Sequence, residues 1–279
     1  MKTWFITGAS RGFGHEWARA ALRRGDRAAV TARDTSTLDG LVTEFGDAVL
    51  PLRLDVTDRS AAFAAVDRAC EHFGALDVVV NNAGYGHFGM VEELTEAALR
   101  DQLETNLFGA VWVTQAALPH LRAQGSGHIV QVSSIGGISA FAGIGAYHAS
   151  KWALEGISQA LAAEVAGFGV HVTLVEPGPF ATDWGGPSAR HSTRLPDYDE
   201  AHARTAAARA ARAASPGDPR ASAAALLAVV DAPVPPLRVF FGDVSLAIAT
   251  ADYEQRLATW REWEHVSHLA QGEPTPTTA

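Results

Sequence analysis

Along its first two-thirds the chain alternates two kinds of apolar pattern. Short unbroken apolar runs at 3–7, 28–32, 48–54, 76–80, 128–132 and 170–175 are separated by stretches where apolar residues recur every three or four positions. An unbroken run of strand length has both faces buried, whereas a recurrence near 3.6 marks a helix with one buried face. The pattern therefore predicts strands at those runs and helices between them. Residues 14–24 read as a helix with Phe13, Trp17 and Ala21 on one face and Gly25 ending it. Thr35 or Ser36 is placed to cap a helix that turns Leu38, Leu41, Val42 and Phe45 inward. Asp58 caps a third, carrying Phe63, Val66, Cys70 and Phe73. Longer helices are predicted over 95–122 and 147–165.

Strands separated by helices pair in parallel through right-handed crossovers, so the chain reads as α/β, a doubly wound sheet with helices on both faces. A seventh strand is predicted at 238–241, between helices over 220–230 and 244–263. Residues 184–218 break the pattern. Ala, Arg, Ser and Pro dominate there and large apolar residues are few, which predicts a mobile excursion and not a second domain. Residues 271–279 are polar, contain two prolines, and read as a disordered tail. One domain over 1–270 is expected.

Composition narrows the function classes. Of the 279 residues, 47% are hydrophobic and 19% charged, enough for a sizeable core. A net charge of −9 argues against a nucleic-acid or anionic-membrane partner. The single cysteine, Cys70, excludes an intrachain disulfide framework and suits a reducing compartment. No signal peptide and no membrane-spanning apolar stretch are visible. A cytoplasmic protein is expected, without a metal.

Candidate chemistry lies where predicted strands end. The first strand runs into Gly8, Ser10, Arg11, Gly12, Phe13 and Gly14 and then a helix. Glycines there permit a tight turn and bring backbone close to a pyrophosphate at a helix N-terminus. The second strand ends at Ala32 and Arg33, where an acidic residue would select a free 2′-hydroxyl. Arg33, with Arg11 able to point into the same region, suits a 2′-phosphate, so NADP(H) is expected over NAD(H). Asp34 could blunt that preference. Asp55 is placed to reach the adenine rim or, alternatively, to begin the cap that Asp58 completes.

The stretch from Ser133 to Lys151 contains the remaining candidates. Tyr147 and Lys151 are four residues apart and share a helix face, and Ser134 precedes Tyr147 by thirteen. A fixed ammonium can stabilise a phenolate whose ordinary pKa, about 10, is too high for proton transfer at neutral pH.

Together these motifs resemble the single-domain short-chain dehydrogenase/reductase family, closely over 3–183 and loosely beyond. The family's TGxxxGxG is similar to Thr7, Gly8, Gly12 and Gly14; its NNAG to Asn81, Asn82, Ala83 and Gly84; its PG pair to Pro177 and Gly178. The resemblance implies a Rossmann-type, seven-stranded sheet and a catalytic set of Asn106, Ser134, Tyr147 and Lys151. Hydride would pass between the nicotinamide and a carbonyl carbon, Tyr147 would move the proton, and Ser134 would hold the oxygen. Lys151 would contact the nicotinamide ribose and, with the oxidised ring, lower the tyrosine pKa. Asn106 would mark a helix kink where its carbonyl holds a relay water. An alternative is that Asn106 simply packs against a neighbouring loop. The implied cofactor contacts also include Val56, Asn82, Ala83, Gly84, Phe180 and Thr182, beside Tyr147 and Lys151 themselves. The long helices resemble those of the family's dimer interface, so a homodimer or homotetramer is expected.

The expected mouth is apolar, with Ile135, Phe141 and Trp184 beside Ser134 and Tyr147. No basic cluster is evident in the sequence. The expected substrate is a hydrophobic ketone or its alcohol, with 184–218 as the lid. Two rivals stay open: a cofactor-sensing protein without turnover, and an epimerase or dehydratase using the same Tyr/Lys pair.

Overall fold

The apolar runs assemble side by side. In a computed structural model that describes residues 1–186 and 188–272, strands β1 (Thr3–Ile6), β2 (Arg27–Ala32), β3 (Val49–Arg53) and β4 (Val78–Asn81) occupy the first half. A two-residue strand, β5 (His87–Phe88), precedes β6 (Gly127–Val132) and β7 (Val170–Pro177). A second two-residue strand, β8 (Arg190–His191), and then β9 (Arg238–Phe241) follow. Seven of these form one parallel sheet in the order β3-β2-β1-β4-β6-β7-β9. The predicted architecture is therefore present, a single Rossmann-type domain.

Alternate residues of each strand feed opposite cores. Trp4 and Ile6, with Val30, Val80, Val130 and Val175, pack against α1 (Gly12–Arg23) and α8 (Ala221–Val230) through Trp17, Ala21 and Leu226. Phe5, Ala29, Val79 and Ile129 pack the other way, against Val66 and Phe73 of α3 (Arg59–Phe73) and Val113 and Leu121 of α5 (Gly109–Gln124). Trp4, Phe5 and Ile6 are all fully buried. Each such side chain contributes about 1.5–3 kcal/mol by leaving water. That burial on both faces is the cause of the unbroken apolar runs.

Helix details depart from expectation where local hydrogen bonding intervenes. Asp34, not Thr35 or Ser36, makes the cap after β2, accepting from the Ser36 N–H; a short 3₁₀ turn then leads into α2 (Asp39–Phe45). The long helix predicted over 95–122 is α4 (Glu96–Leu103), a π-turn at Glu104–Phe108, and α5. The helix α6 (Gly145–Val165) begins two residues before Tyr147. The excursion after β7 has structure of its own: β8 pairs with β5, and α7 (Asp199–Arg212) follows. The predicted closing helix is two, α9 (Ser245–Glu262) and α10 (Glu264–Gln271), so Gln271, expected in a tail, is helical. The rest of that tail from 273 lies outside the described residues.

The order of the sheet reverses direction between β1 and β4. Loops after these two strands therefore diverge and leave a crevice at the carboxyl ends of the strands. A cleft of about 1060 Å³ occupies this edge.

Candidate active site

The nucleotide end of the cleft is built by two interlocked turns. Thr7 Oγ1 accepts the backbone N–H groups of Asn82 at 2.9 Å and Ala83 at 3.0 Å. Asn82 Nδ2 donates in return to the carbonyls of Thr7 at 2.9 Å and Gly8 at 3.0 Å. Gly8 and Gly12 have φ of +66° and +59°, the left-handed region that a side chain disfavours. Gly14 faces away from the cleft and permits the close packing behind it. A Cβ there would lie 2.5 Å from Asn82 Nδ2 and 2.6 Å from the Gly8 carbonyl. The first turn of α1 carries no side-chain cap, and Gly8, Ser10, Arg11, Gly12 and Phe13 line the cleft beside it. Uncapped N–H groups at the positive end of a helix suit a pyrophosphate, so these residues fit a nicotinamide dinucleotide.

Further along, Arg33, Asp55 and Val56 line the cleft on one side and Pro177, Gly178, Phe180 and Thr182 on the other. Asp34 is turned away, its carboxylate engaged by the Ser36 hydroxyl and N–H, which hold it below the usual carboxylate range. Its negative charge stays beside Arg33, but its oxygens are taken up by Ser36. Arg11 does not join Arg33, contrary to expectation. Its guanidinium donates to Ser188 Oγ at 2.6 Å and lies 3.8 Å from Asp183, both beyond β7. Asp55 closes its own turn onto Thr57, and Asp58 alone caps α3. The rings of Phe13 and Phe180 pack on each other, with centroids 4.9 Å apart, and Phe13 stacks on Trp17. They form the wall from the core side.

Ser134, Tyr147 and Lys151 come together at the ends of β6 and β7. Ser134 lies two residues past the end of β6, and its Oγ accepts the Gly136 N–H at 2.9 Å. Lys151, one turn along α6 from Tyr147, donates to the Val132 carbonyl at 2.7 Å. Its Nζ lies 5.8 Å from the centre of the Tyr147 ring. Gly84, at the end of the turn after β4, closes the same corner.

A family model for the short chain dehydrogenases matches residues 2–192. The chain belongs to the short-chain dehydrogenase family. It is 42% identical over 272 residues to oxidoreductase BOA17 of Botryotinia fuckeliana, covering 95% of this chain and 98% of that one. It is 39% identical over 198 residues to a 3-ketodihydrosphingosine reductase of Bacteroides thetaiotaomicron, covering 71% and 70%. A solved short-chain dehydrogenase from Streptomyces avermitilis superposes with a TM-score of 0.89 at 41% identity, over 96% of this chain and 97% of that one. An alcohol dehydrogenase from Thermococcus sibiricus, solved with 5-hydroxy-NADP, gives a TM-score of 0.72 at 28% identity over 86% and 96%. The protein is thus a short-chain dehydrogenase/reductase, an oxidoreductase of CH–OH and C=O groups that uses NAD(P).

In this dehydrogenase burial dominates both ionisable groups of the corner. Burial pushes the Tyr147 phenol up to about 12, with the Ser134 hydroxyl pulling the other way. Burial also pulls Lys151 down to about 8, while the Glu155 charge opposes it. The expected lowering combines Lys151 with the oxidised nicotinamide; burial alone raises the phenol.

Asn106 sits in the π-turn, where the kink was expected. Its Oδ1 accepts the Tyr85 N–H at 3.1 Å, and its Nδ2 donates to the Tyr85 carbonyl at 2.9 Å and to Ser150 Oγ at 3.1 Å. The side chain thus clamps the loop after Gly84 to α6. An amide oxygen has room for a second hydrogen bond.

The sequence assigns no role to three residues at or behind the site, His148, Glu155 and Glu176. His148, next to Tyr147, places Nδ1 2.7 Å from the Gly136 carbonyl and accepts the Phe141 N–H on Nε2 at 2.8 Å. It braces the loop that follows Ser134, and a histidine three residues into a helix that faces a glycine loop is the signal for it. Behind Ser133, the buried Glu155 and Glu176 face each other beside Arg238, whose Nε is 2.9 Å and 3.5 Å from their carboxylates. Ser133 Oγ, Glu155 Oε1 and both oxygens of Glu176 lack another partner among the described residues. Burial raises both carboxyls, and the Glu155 charge helps push Glu176 up to about 8. The pair holds a proton between its members near neutral pH.

The substrate mouth is less apolar than expected. Ile135 and Phe141 line it, and Trp184 lies edge-on to Tyr147 with centroids 4.8 Å apart. Arg190, Arg194, Arg209 and Arg212 line it as well. Pairing of β8 with β5 and the course of α7 bring together arginines that the sequence keeps apart.

Proposed function

We propose that the protein is an NADP(H)-dependent carbonyl reductase in which Tyr147 is the general acid/base. The convergence of Ser134, Tyr147 and Lys151 on one corner of the cleft carries this reading. A nicotinamide held here by the glycine turns, Asn82 and Thr182 would supply or accept the hydride. Ser134 orients the carbonyl oxygen toward the phenol, and Tyr147 donates the proton to it, or takes it back in oxidation. Lys151, fixed by the Val132 carbonyl, keeps a positive charge on the far side of the ring. With the charge of the oxidised nicotinamide it offsets the desolvation that raises Tyr147. General acid–base catalysis of this kind is worth about 10²- to 10⁴-fold.

Arg33, lining the cleft where the second strand ends and with the Asp34 oxygens engaged by Ser36, supports a 2′-phosphate and hence NADP(H). The glycine turns, Asn82, Ala83, Thr182 and the wall residues hold the dinucleotide. Asn106 positions the loop after Gly84 and retains an acceptor site toward Lys151. Residues 184–218 act as the lid on a domain spanning 1–270. Among the described residues no helix is long and apolar enough to cross a membrane. The half-exposed Leu99, Phe108, Trp152 and Ile157 on the long helices suit a homo-oligomer. We place the enzyme in the cytoplasm.

The reading is tested by NADPH consumption against aliphatic, aryl and polycyclic ketones, with Tyr147→Phe as the variant. Turnover should fall by at least about 10²-fold while NADPH binding changes little. Near wild-type turnover in that variant would overturn the mechanism.

A further inference from the structure

The face that α7 turns toward the cleft is cationic where an apolar lid would be expected. His202, Thr205, Arg209 and Arg212 recur at helical spacing along it and all four line the cleft. His202 anchors the helix at one end. It binds the buried carboxylate of Glu93, which burial pushes up but which His202 and the Leu195 and Met90 N–H groups hold down at about 2. The arginines at the other end have no such partner.

Arg212 lies 4.3 Å over the ring of Phe141, and Arg209 lies 4.7 Å over Phe88. Phe141 in turn contacts His148, next to Tyr147, so the Arg212 guanidinium is two side chains from the candidate proton donor. A guanidinium over a ring keeps its in-plane N–H groups free for a carboxylate. The carboxylates on the cleft wall are committed elsewhere or not in reach. Asp101 pairs with Arg190 at 2.9 Å, Asp183 lies beside Arg11, and Asp55 turns onto Thr57. Glu104 forms no ion pair with either arginine. Among the described residues Arg209 and Arg212 make no salt bridge at all.

Closing a lid over a neutral ketone would strip water from two unpaired cations, which costs free energy with nothing in return. A negative charge on the substrate removes that cost. We propose that the substrate is an oxo-acid, or its hydroxy-acid, whose carboxylate is bound by Arg212 with Arg209 beside it, while its carbonyl lies against Ser134 and Tyr147. This rests on the carbonyl-reductase reading and replaces its neutral hydrophobic ketone with an acidic one.

The test is calorimetric titration of the full protein, with and without NADP⁺, using 3-benzoylpropionate and 4-benzoylbutyrate against their methyl esters. A charge-assisted hydrogen bond implies that the acids bind about 10- to 100-fold tighter than the esters. Arg212→Gln should bring the acids down to the esters' affinity, and Arg212→Lys should keep part of the difference. High salt should narrow it. Arg204→Gln, on the outer face of the same helix, should change neither affinity. Equal binding of acid and ester, no binding of the acids, or a preference that survives removal of both Arg209 and Arg212 would overturn the proposal. The same compounds are then assayed for NADPH oxidation. Absence of turnover with every carbonyl tested would count against the reductase reading alone, because the acid–ester difference is read from binding.

Discussion

His148 accepts the backbone N–H of Phe141 at 2.8 Å and so ties the loop that follows Ser134 to the helix that carries Tyr147. Its other nitrogen, 2.7 Å from the Gly136 carbonyl, must carry the hydrogen, since a carbonyl offers none. Only the neutral ring with this tautomer satisfies both contacts, and burial depresses the His148 pKa in the direction that preserves it.

His148→Ala should therefore misplace Ser134 and Phe141 without touching the dinucleotide. A loss of about 10- to 100-fold in kcat is expected, with cofactor affinity within about twofold. His148→Gln offers one donor and one acceptor and should restore part of the loss. Steady-state kinetics beside cofactor titration checks this. Equal damage to cofactor binding in His148→Ala would mean the residue serves general packing.

One substitution made at two glycines should act in opposite directions. In Gly14→Ala the new methyl meets Asn82 and the Gly8 carbonyl, which the interlocked turns cannot vacate. The variant should lose about 1–3 kcal/mol and bind cofactor more weakly. Gly156 sits exposed inside α6 with nothing within 4 Å of its Cβ position. Gly156→Ala should gain about 0.5–1 kcal/mol. Thermal melts of both variants decide the matter.

The Glu155–Glu176 pair predicts a pH dependence of stability with a definite sign. Glu176 has an ordinary pKa of 4.5 and is raised to about 8 in the folded protein. The folded state then holds more protons than the unfolded one between these values, so stability falls as pH rises through the window. Glu176→Gln stays neutral and should flatten that fall, which thermal unfolding from about pH 5 to 8 measures. Lys151 acts in a separate window. Lowered from 10.5 to about 8, it makes stability rise with pH between those values. An unchanged slope in Glu176→Gln would remove the shared proton from the account.

Arg33→Asp should shift the ratio of kcat/KM values from NADPH toward NADH by at least about tenfold, the worth of one charge-assisted hydrogen bond. Arg11→Gln should leave that ratio nearly unchanged, since Arg11 is spent on Ser188 and Asp183. A ratio unmoved by Arg33→Asp would refute the 2′-phosphate site.

The sheet and the proton-transfer corner were legible in the sequence because burial and backbone geometry write them locally. Strands buried on both faces show as apolar runs, and Tyr147 and Lys151 share a helix turn. What escaped depends on contacts between distant residues. Arg209 and Arg212 lie in an Ala- and Arg-rich segment whose helix, α7, buries no residue, so hydrophobic periodicity had nothing to report there. Only their spacing from His202 and Thr205 marks the face they share. Glu176 falls just past the run predicted at 170–175, and its partner, 21 residues earlier on α6, meets it only once β7 lies against that helix. The contacts of Arg11 with Asp183 and Ser188 likewise form only once the chain after β7 folds back over it.

Because α7 buries no residue, little of the free energy of folding depends on its sequence. The sheet, its two cores and the cofactor turns are complete without it. Apart from His202, which holds the buried Glu93, selection for a new substrate can therefore rewrite this helix with little folding penalty. Binding specificity and fold stability are assigned to separate stretches of one chain. Exchanging residues 203–213 with those of a relative should transplant acid or ketone preference while leaving the melting temperature nearly where it was.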